Sequence, residues 1–280
     1  MLRRFAALLL CLLVLTALCV PAAAQEEEAQ ELRVYFDGLL SCRGYVRSGQ
    51  VLIPLQAMCR LADIQLSKVQ GEGLCYEGRG LKLSIFPEEG YLGANGRYLL
   101  CPGGAEEIEG RLCLPADTAA RIFSCRAEIN MAEGRVDIDT ENLSVIRGGS
   151  DYYRQLADVE DIFWLSRILY SEAGLQGLEA MLAVGQVVFN RIEDERYPDG
   201  IFEVIFDREG GIQFTPVQDG TIYTLPSELA EIAAYMCYEG YDLVGDSLYF
   251  VNPAMGDVSW FSANKVYHCT VGLHDFYVDG

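Results

Sequence analysis

Apolar positions recur along this chain with two different periods, and the change falls near its middle. Between residues 31 and 140 they alternate with polar ones over short runs, 32–36, 80–86 and 135–138, each bounded by turn residues. Period-two runs of that length predict strands with one face buried. From Asp158 onward apolar residues instead return every third or fourth place, at Ile162, Leu165, Ile168 and Leu169. That spacing lays one stripe along a helix, with Asp158 placed to cap its first turn. Gly174 and Gly177 interrupt the helix, and a second one carries Ala180, Ala183, Val184, Val187 and Val188 on its inner face. Residues 193–224 are loop-rich. A third helix is expected to start near Ser227, behind Pro226, with Leu229, Ile232, Ala233 and Met236 inward. Short β-segments are expected at 248–251, 266–271 and 276–278.

The first half also repeats itself. Residues 50–54 (QVLIP), followed by Ala57, Arg60 and Leu61, recur as 111–115 (RLCLP), followed by Thr118, Arg121 and Ile122, at an offset of 61 residues. Each copy reads as a strand, a proline and a short amphipathic helix, so the unit is duplicated. The fold class is therefore α+β. A mostly-β module with short helices spans 25–140, a linker 141–157 breaks at Gly148-Gly149, and a helical domain with a small sheet spans 158–280.

The arrangement of the stripe singles out one acid. Glu172 stands seven places after Leu165, four after Ile168 and three after Leu169, so it prolongs the apolar stripe instead of facing water. A carboxyl at the apolar end of a helix, opening onto a glycine-containing loop, loses solvation; its charged form is disfavoured and its pKa rises toward the range of general-acid catalysis. A solvated or capped glutamate is the commoner occupant of a helix end. Glu179 suits that plainer role, in the first turn of the next helix where the dipole favours a carboxylate.

Charge and cysteines narrow the setting. There are 41 acidic and 21 basic residues, a net charge of −20. That balance argues against electrostatic binding of nucleic acid or anionic lipid. Arg3 and Arg4 precede an apolar run from Phe5 to Val20, and Ala22-Ala23-Ala24 stands before Gln25, the form of a signal peptide over 1–24. An uncleaved membrane anchor is the competing reading, so any membrane contact is expected only through this segment. A secreted protein is implied, with a polar spacer at 25–30. Of ten cysteines, Cys11 and Cys19 lie in the signal segment, six (Cys42, Cys59, Cys75, Cys101, Cys113, Cys125) in the first half, and Cys237 and Cys269 in the second. Even counts in each half of an exported protein suggest disulfides, three and one; buried free thiols are the alternative.

The stretch SRILYSEAGLQGLEAMLAVGQVVFNRI resembles the catalytic segment of the SleB-type cell-wall hydrolases, the spore-cortex-lytic enzymes, which read A-R-x-I-Y-x-E-A-R-G-E and then a small-residue helix ending V-V-x-N-R. The matching residues are Arg167, Ile168, Tyr170, Glu172, Ala173, Ala183, Val184, Val187, Val188, Asn190 and Arg191. Tyr197-Pro198, Val204-Ile205, Gln213-Phe214-Thr215-Pro216, Asp219-Gly220, Ser247 to Phe250, Asn252, Gly272, His274, Phe276 and Tyr277 follow in the family's order, so the resemblance covers about residues 158 to 278. Where the family has arginine, glycine and a second glutamate, this chain has Gly174, Leu175 and Gln176.

The resemblance implies a lysozyme-like fold for this domain. It also implies a lytic transglycosylase acting on peptidoglycan glycan strands, of vegetative wall or of spore cortex during germination, without a cofactor. Glu172 would make both proton transfers. Tyr170, Gln176, Gln213, Phe214, Tyr249, Asn252, His274 and Tyr277 are candidate substrate-binding groups, and Asn190 and Arg191 would tie the second helix to a neighbouring loop. An accessory wall or spore protein is a further expected partner. The duplicated strand–helix unit is similar to the copper amine oxidase N-terminal domain, a stalk-like module. The chain's two histidines, His268 and His274, both lie in the other half, so no imidazole copper site is possible there. Two alternatives stand beside this reading: a zinc amidase using His268, Cys269 and His274, or a wall-binding module without catalysis.

Overall fold

The computed structural model describes residues 29–209 and 211–280; the signal segment of the sequence analysis lies outside them. No helix among the described residues is long and apolar enough to cross a membrane.

The first half is built from hairpins. Strands β1 (Gln30–Phe36), β2 (Leu39–Arg47) and β3 (Gln50–Pro54) are followed by helix α1 (Leu55–Leu61). Then come β4 (Ser67–Val69), β5 (Leu74–Gly78), β6 (Leu81–Phe86), β7 (Tyr91–Ala94), β8 (Arg97–Leu100), β9 (Glu106–Ile108), β10 (Arg111–Pro115), helix α2 (Ala116–Ile122), β11 (Arg126–Asn130) and β12 (Arg135–Asp139). Two-residue loops close four of the hairpins: Asp37-Gly38, Ser48-Gly49, Asn95-Gly96 and Glu109-Gly110, with φ positive at both positions of each. Such loops match the twist of the strands they join. One sheet runs β11-β12-β1-β2-β3-β10-β9 and the other β4-β5-β6-β7-β8. Leu32, Val34 and Phe36 alternate into the core between them, as the period-two pattern predicts.

The duplication is visible as geometry. β3 and β10 pair antiparallel, Ile53 opposite Leu114 and Pro54 opposite Cys113, and each runs through its proline into its helix. Proline at the junction cannot donate to the ladder and sets the φ that opens a helix.

Residues 141–157, expected as a linker with a break at Gly148-Gly149, are packed against the sheet. Asn95 donates to Ile146 O at 3.1 Å and accepts at its carbonyl from Gly149 N at 2.8 Å. A Cβ on Gly149 would lie 1.9 Å from Gly96 O, so this glycine marks a close approach of two backbones, not a hinge. Helix α3 (Gly149–Tyr153) follows, with Tyr153 buried.

The second half has α4 (Val159–Ala173), α5 (Leu178–Glu193), α6 (Ile201–Phe206), α7 (Thr215–Asp219), α8 (Glu228–Cys237) and α9 (Val258–Asn264). Strands β13 (Tyr249–Val251), β14 (Val266–Val271) and β15 (His274–Val278) form a small antiparallel sheet in the order β13-β15-β14. Asp158 closes a capping box with Asp161 at the start of α4, and Ser227 caps α8. α4, α5 and α8 bury their apolar stripes on one another. The whole is α+β.

The two halves share a buried cluster, in which Tyr91 and Leu100 of the second sheet join Leu165, Ile168 and Met236. Around it, Arg97 forms a two-pronged ion pair with Glu239, whose side chain is fully buried, and Tyr153 Oη donates to the same carboxylate at 2.8 Å. Arg121 Nη1 donates to Glu239 O at 3.0 Å, and Leu100 N to Tyr241 Oη at 2.8 Å.

All eight cysteines among the described residues are free thiols, which corrects the expectation of three bridges and one. They are dispersed through the packing as small apolar groups. Cys59 and Cys101 sit in the first core, Cys113 in a separate cluster, and Cys237 Sγ lies where a Cβ on Gly185 would approach to 2.3 Å. Burial pushes the Cys101 thiol up to about 12.

Candidate active site

The apolar stripe of α4 carries Glu172 to the last turn of the helix, half-buried at a groove of about 1210 Å³. α4 then stops because the chain must turn. Gly174 lies so close to the Tyr170 ring that a Cβ would meet it at 2.6 Å, and Gly177 takes φ +93° ahead of α5. Either position would strain an L side chain.

The Glu172 carboxyl accepts no hydrogen bond from any described residue. Desolvation raises its pKa from 4.5 to about 7, the Asp219 charge adds to the rise, and Arg191 opposes it. Near neutral pH it therefore holds its proton about half the time. Asp219 stays ionised: its carboxylate accepts from Thr221 N at 2.9 Å and Thr221 Oγ1 at 2.6 Å, which lowers its pKa. Ser171 Oγ donates to Thr221 O at 3.1 Å and ties that turn to α4.

Arg191, near the end of α5, is buried beside the groove. Nε donates to Leu248 O at 2.9 Å, and its guanidinium carbon lies 5.2 Å from the Tyr197 ring and 5.0 Å from Phe214. Nη1 is buried without a hydrogen-bond partner among the described residues. Asn190 donates to Gly245 O at 2.8 Å and Ser247 O at 2.9 Å, so this pair of residues does tie α5 to the loop before β13.

Six of the eight residues expected to bind substrate line the groove together: Tyr170, Gln176, Gln213, Tyr249, Asn252 and His274. Gln176 spends its amide on the framework, donating to Glu172 O at 3.3 Å and accepting from Leu273 N at 2.7 Å. It clamps the end of α4 to the β14–β15 turn. His274 is buried edge-on to Phe250 at 5.1 Å, Nδ1 unpartnered, with desolvation lowering its pKa against the raising effect of Asp275. Phe214 and Tyr277 are placed elsewhere. Phe214 is a core ring under Arg191, and Tyr277 is packed between Phe261 and Tyr267.

The residues of the zinc alternative do not converge. His268 stands against Gly245 and interacts with Asp242, while His274 faces the groove. No three histidine, cysteine or acidic side chains come together as a metal site among the described residues.

Sequence reasoning missed Asp219, Tyr197 and Trp260 as groove residues and gave Arg191 only a tethering role. Asp219-Gly220 reads as a turn signal, and nothing local says that its charge lands beside Glu172.

Residues 175–277 match the family model described as Cell Wall Hydrolase; Glu172 lies just ahead of the matched segment. The chain is 33% identical over 100 residues to the spore cortex-lytic enzyme of Bacillus subtilis (strain 168), covering 36% of this chain and 32% of that one. It is likewise 33% identical over 100 residues to the spore cortex-lytic enzyme of Oceanobacillus iheyensis, covering 36% and 35%. The chain thus spans about a third of the length of these curated relatives. Among solved structures it is similar to the catalytic domain of the germination-specific lytic transglycosylase SleB from Bacillus anthracis, at 28% identity and a TM-score of 0.40, covering 44% of this chain and 98% of that one.

Proposed function

We propose that the second half of this chain, which carries a cell wall hydrolase domain of the SleB type, cleaves peptidoglycan glycan strands as a lytic transglycosylase with Glu172 as its acid and base. The observation that carries this is one carboxyl, without a hydrogen-bond partner among the described residues and with its pKa raised to about 7, on the wall of a sugar-sized groove. Protonated Glu172 gives its proton to the glycosidic oxygen as the bond from muramic C1 to that oxygen breaks. The resulting carboxylate takes the proton of the 6-hydroxyl of the same sugar as O6 closes on C1, leaving a 1,6-anhydro ring and a regenerated acid. One residue suffices for both transfers, whereas hydrolysis requires a second carboxylate as nucleophile or base. Arg191 supports the ionised form of Glu172 between the two transfers, and Asp219 keeps the resting form protonated. Gln176 in place of a second glutamate is consistent with this, because its amide is occupied in holding the groove wall.

The first half, similar to a copper amine oxidase N-terminal stalk, acts here as a docking or spacing module for an exported, wall- or spore-associated enzyme. Product analysis tests the proposal. Sacculi digested in H₂¹⁸O release anhydromuramic products without label, and Glu172→Gln releases none. Labelled reducing ends from the wild type would mean hydrolysis instead, and undiminished release by the amide variant would remove Glu172 from the reaction.

A further inference from the structure

Five aromatic rings cluster on the outer side of the helical domain, at a distance from Glu172 along α4. Trp164 is central, with ring centroids 4.9 Å from Phe163, 5.5 Å from Phe202, 4.9 Å from Phe206 and 6.2 Å from Tyr223. Phe206 and Trp164 back onto the core, but Phe163 is 44% exposed, Phe202 39% and Tyr223 67%. A contiguous exposed aromatic surface of this kind marks a binding site far more often than scattered apolar residues do.

The segments that carry it run on into the lining of the groove. Phe206, the last residue of α6, is followed by Asp207, which lines the groove; Tyr223 ends the short turn that begins at Thr221, which also lines it. Along α4, Phe163, Arg167 and Ser171 share one face at four-residue spacing, and Ser171 is again a groove residue. At 1.5 Å per residue, Phe163 stands roughly 12 Å from Ser171. Arg167 lies over the Phe163 ring at 3.6 Å and donates one N–H to Phe163 O, and its fork carries further N–H donors.

Resting on the proposed function, we propose that this shelf is an extension of the glycan-binding groove, a subsite for sugar rings of the same strand beyond those being cleaved. A polymeric substrate must leave the groove somewhere, and three segments that carry the shelf also carry groove-lining residues, Ser171, Asp207 and Thr221. Sugar rings present an apolar C–H face to an aromatic ring while their hydroxyls remain in water or reach a guanidinium, which matches exposed rings edged by Arg167. A neutral sugar is also the occupant least affected by the chain's net charge of −20.

The test is a binding comparison in the Glu172→Gln background, which does not depend on turnover: long glycan strands against fragments short enough to fill the groove alone, measured by titration calorimetry. Tyr223→Ala and Phe163→Ala are each expected to lower the ratio of long-strand to short-fragment affinity by on the order of fivefold, the loss usual for truncating a contact aromatic. Tyr267→Ala, an equally exposed ring outside the groove lining, leaves that ratio unchanged. An unchanged ratio in the shelf variants overturns the proposal, as does a shift in oligomeric state with strand binding intact, which would make the shelf an interface between copies. Glycan binding without any cleavage by the wild type would defeat the proposed reaction while leaving the shelf standing.

Discussion

Two carboxylates of the second half are taken out of bulk water, and they differ in what surrounds them. Glu239, just after α8, is clasped by Arg97 and by the Tyr153 hydroxyl, and its backbone carbonyl is held by Arg121. The Glu172 carboxyl, at the end of α4, has only the field of Asp219 and Arg191 and no hydrogen bond from a described residue. A buried carboxylate with a full set of donors is held in place and serves as an anchor. One left without donors keeps a proton it can give away. The same residue type is thus structural at the junction of the halves and, on the proposed mechanism, reactive in the groove, and the partners make the difference.

The sharpest break of this contrast is Glu172→Gln, which keeps the shape and removes the proton. Turnover of glycan strands is expected to fall by about 10²–10⁴-fold, the range general-acid catalysis supplies, with the circular dichroism spectrum unchanged. Stability should move the other way. The folded pKa of about 7 lies above the ordinary 4.5, so wild-type stability is complete below pH 4.5 and declines as pH rises through 7. The amide does not pay that penalty. Relative to wild type the variant should gain on the order of 2 kcal/mol between pH 4.5 and 8 in urea titrations; a constant difference across that range would mean that the carboxyl is solvated.

Glu239→Gln breaks the other side of the comparison. It leaves Arg97 partly buried without its counter-charge, and removing one member of a buried pair costs about 3–5 kcal/mol. We expect a large fall in the melting temperature, mostly recovered in the double variant Arg97→Met/Glu239→Leu, which replaces the pair by apolar groups. If the double variant were no more stable than the single one, the cost would lie in lost packing and not in the stranded charge.

The two acids were unequally legible in the sequence, for a physical reason. Glu172 announces itself because its position in the helical repeat is local: three apolar neighbours at known spacing say which way it faces. The cap at Asp158, the helix start near Ser227, the stop at Gly174 and Gly177, and the doubled strand–proline–helix unit are local in the same sense. Glu239 has no such signal, since Arg97 precedes it by 142 residues. Asp219 and Arg191 bear on Glu172 only through tertiary closure. Phe214 and Tyr277 went the other way: they sit in the right order for the family resemblance, but the packing turns Phe214 under Arg191 and Tyr277 toward Phe261. The docking of residues 141–157 was hidden because its Gly-Gly pair reads as freedom, whereas Gly149 is there for lack of room beside Gly96.

The smallest expected effect tests whether the groove tunes its acid at all. Arg191 is the cationic group acting on Glu172, from α5, while Asp219 acts from the end of α7; Tyr197, Tyr249 and Asp207 also act on the guanidinium. On the proposed mechanism Glu172 acts in its protonated form, so activity is expected at low pH and is expected to be lost as pH rises through about 7. Arg191→Gln withdraws a positive charge that favours the carboxylate, so the proton is held to higher pH and the alkaline limb of kcat/KM moves up by about one unit. Asp219→Asn withdraws a negative charge and moves it down. Because Arg191 also holds Leu248 O, loss of activity alone would not separate tuning from folding. The direction of the two limb shifts does: opposite movements require that both charges act through the Glu172 proton, and parallel movements or none would mean that burial alone sets it.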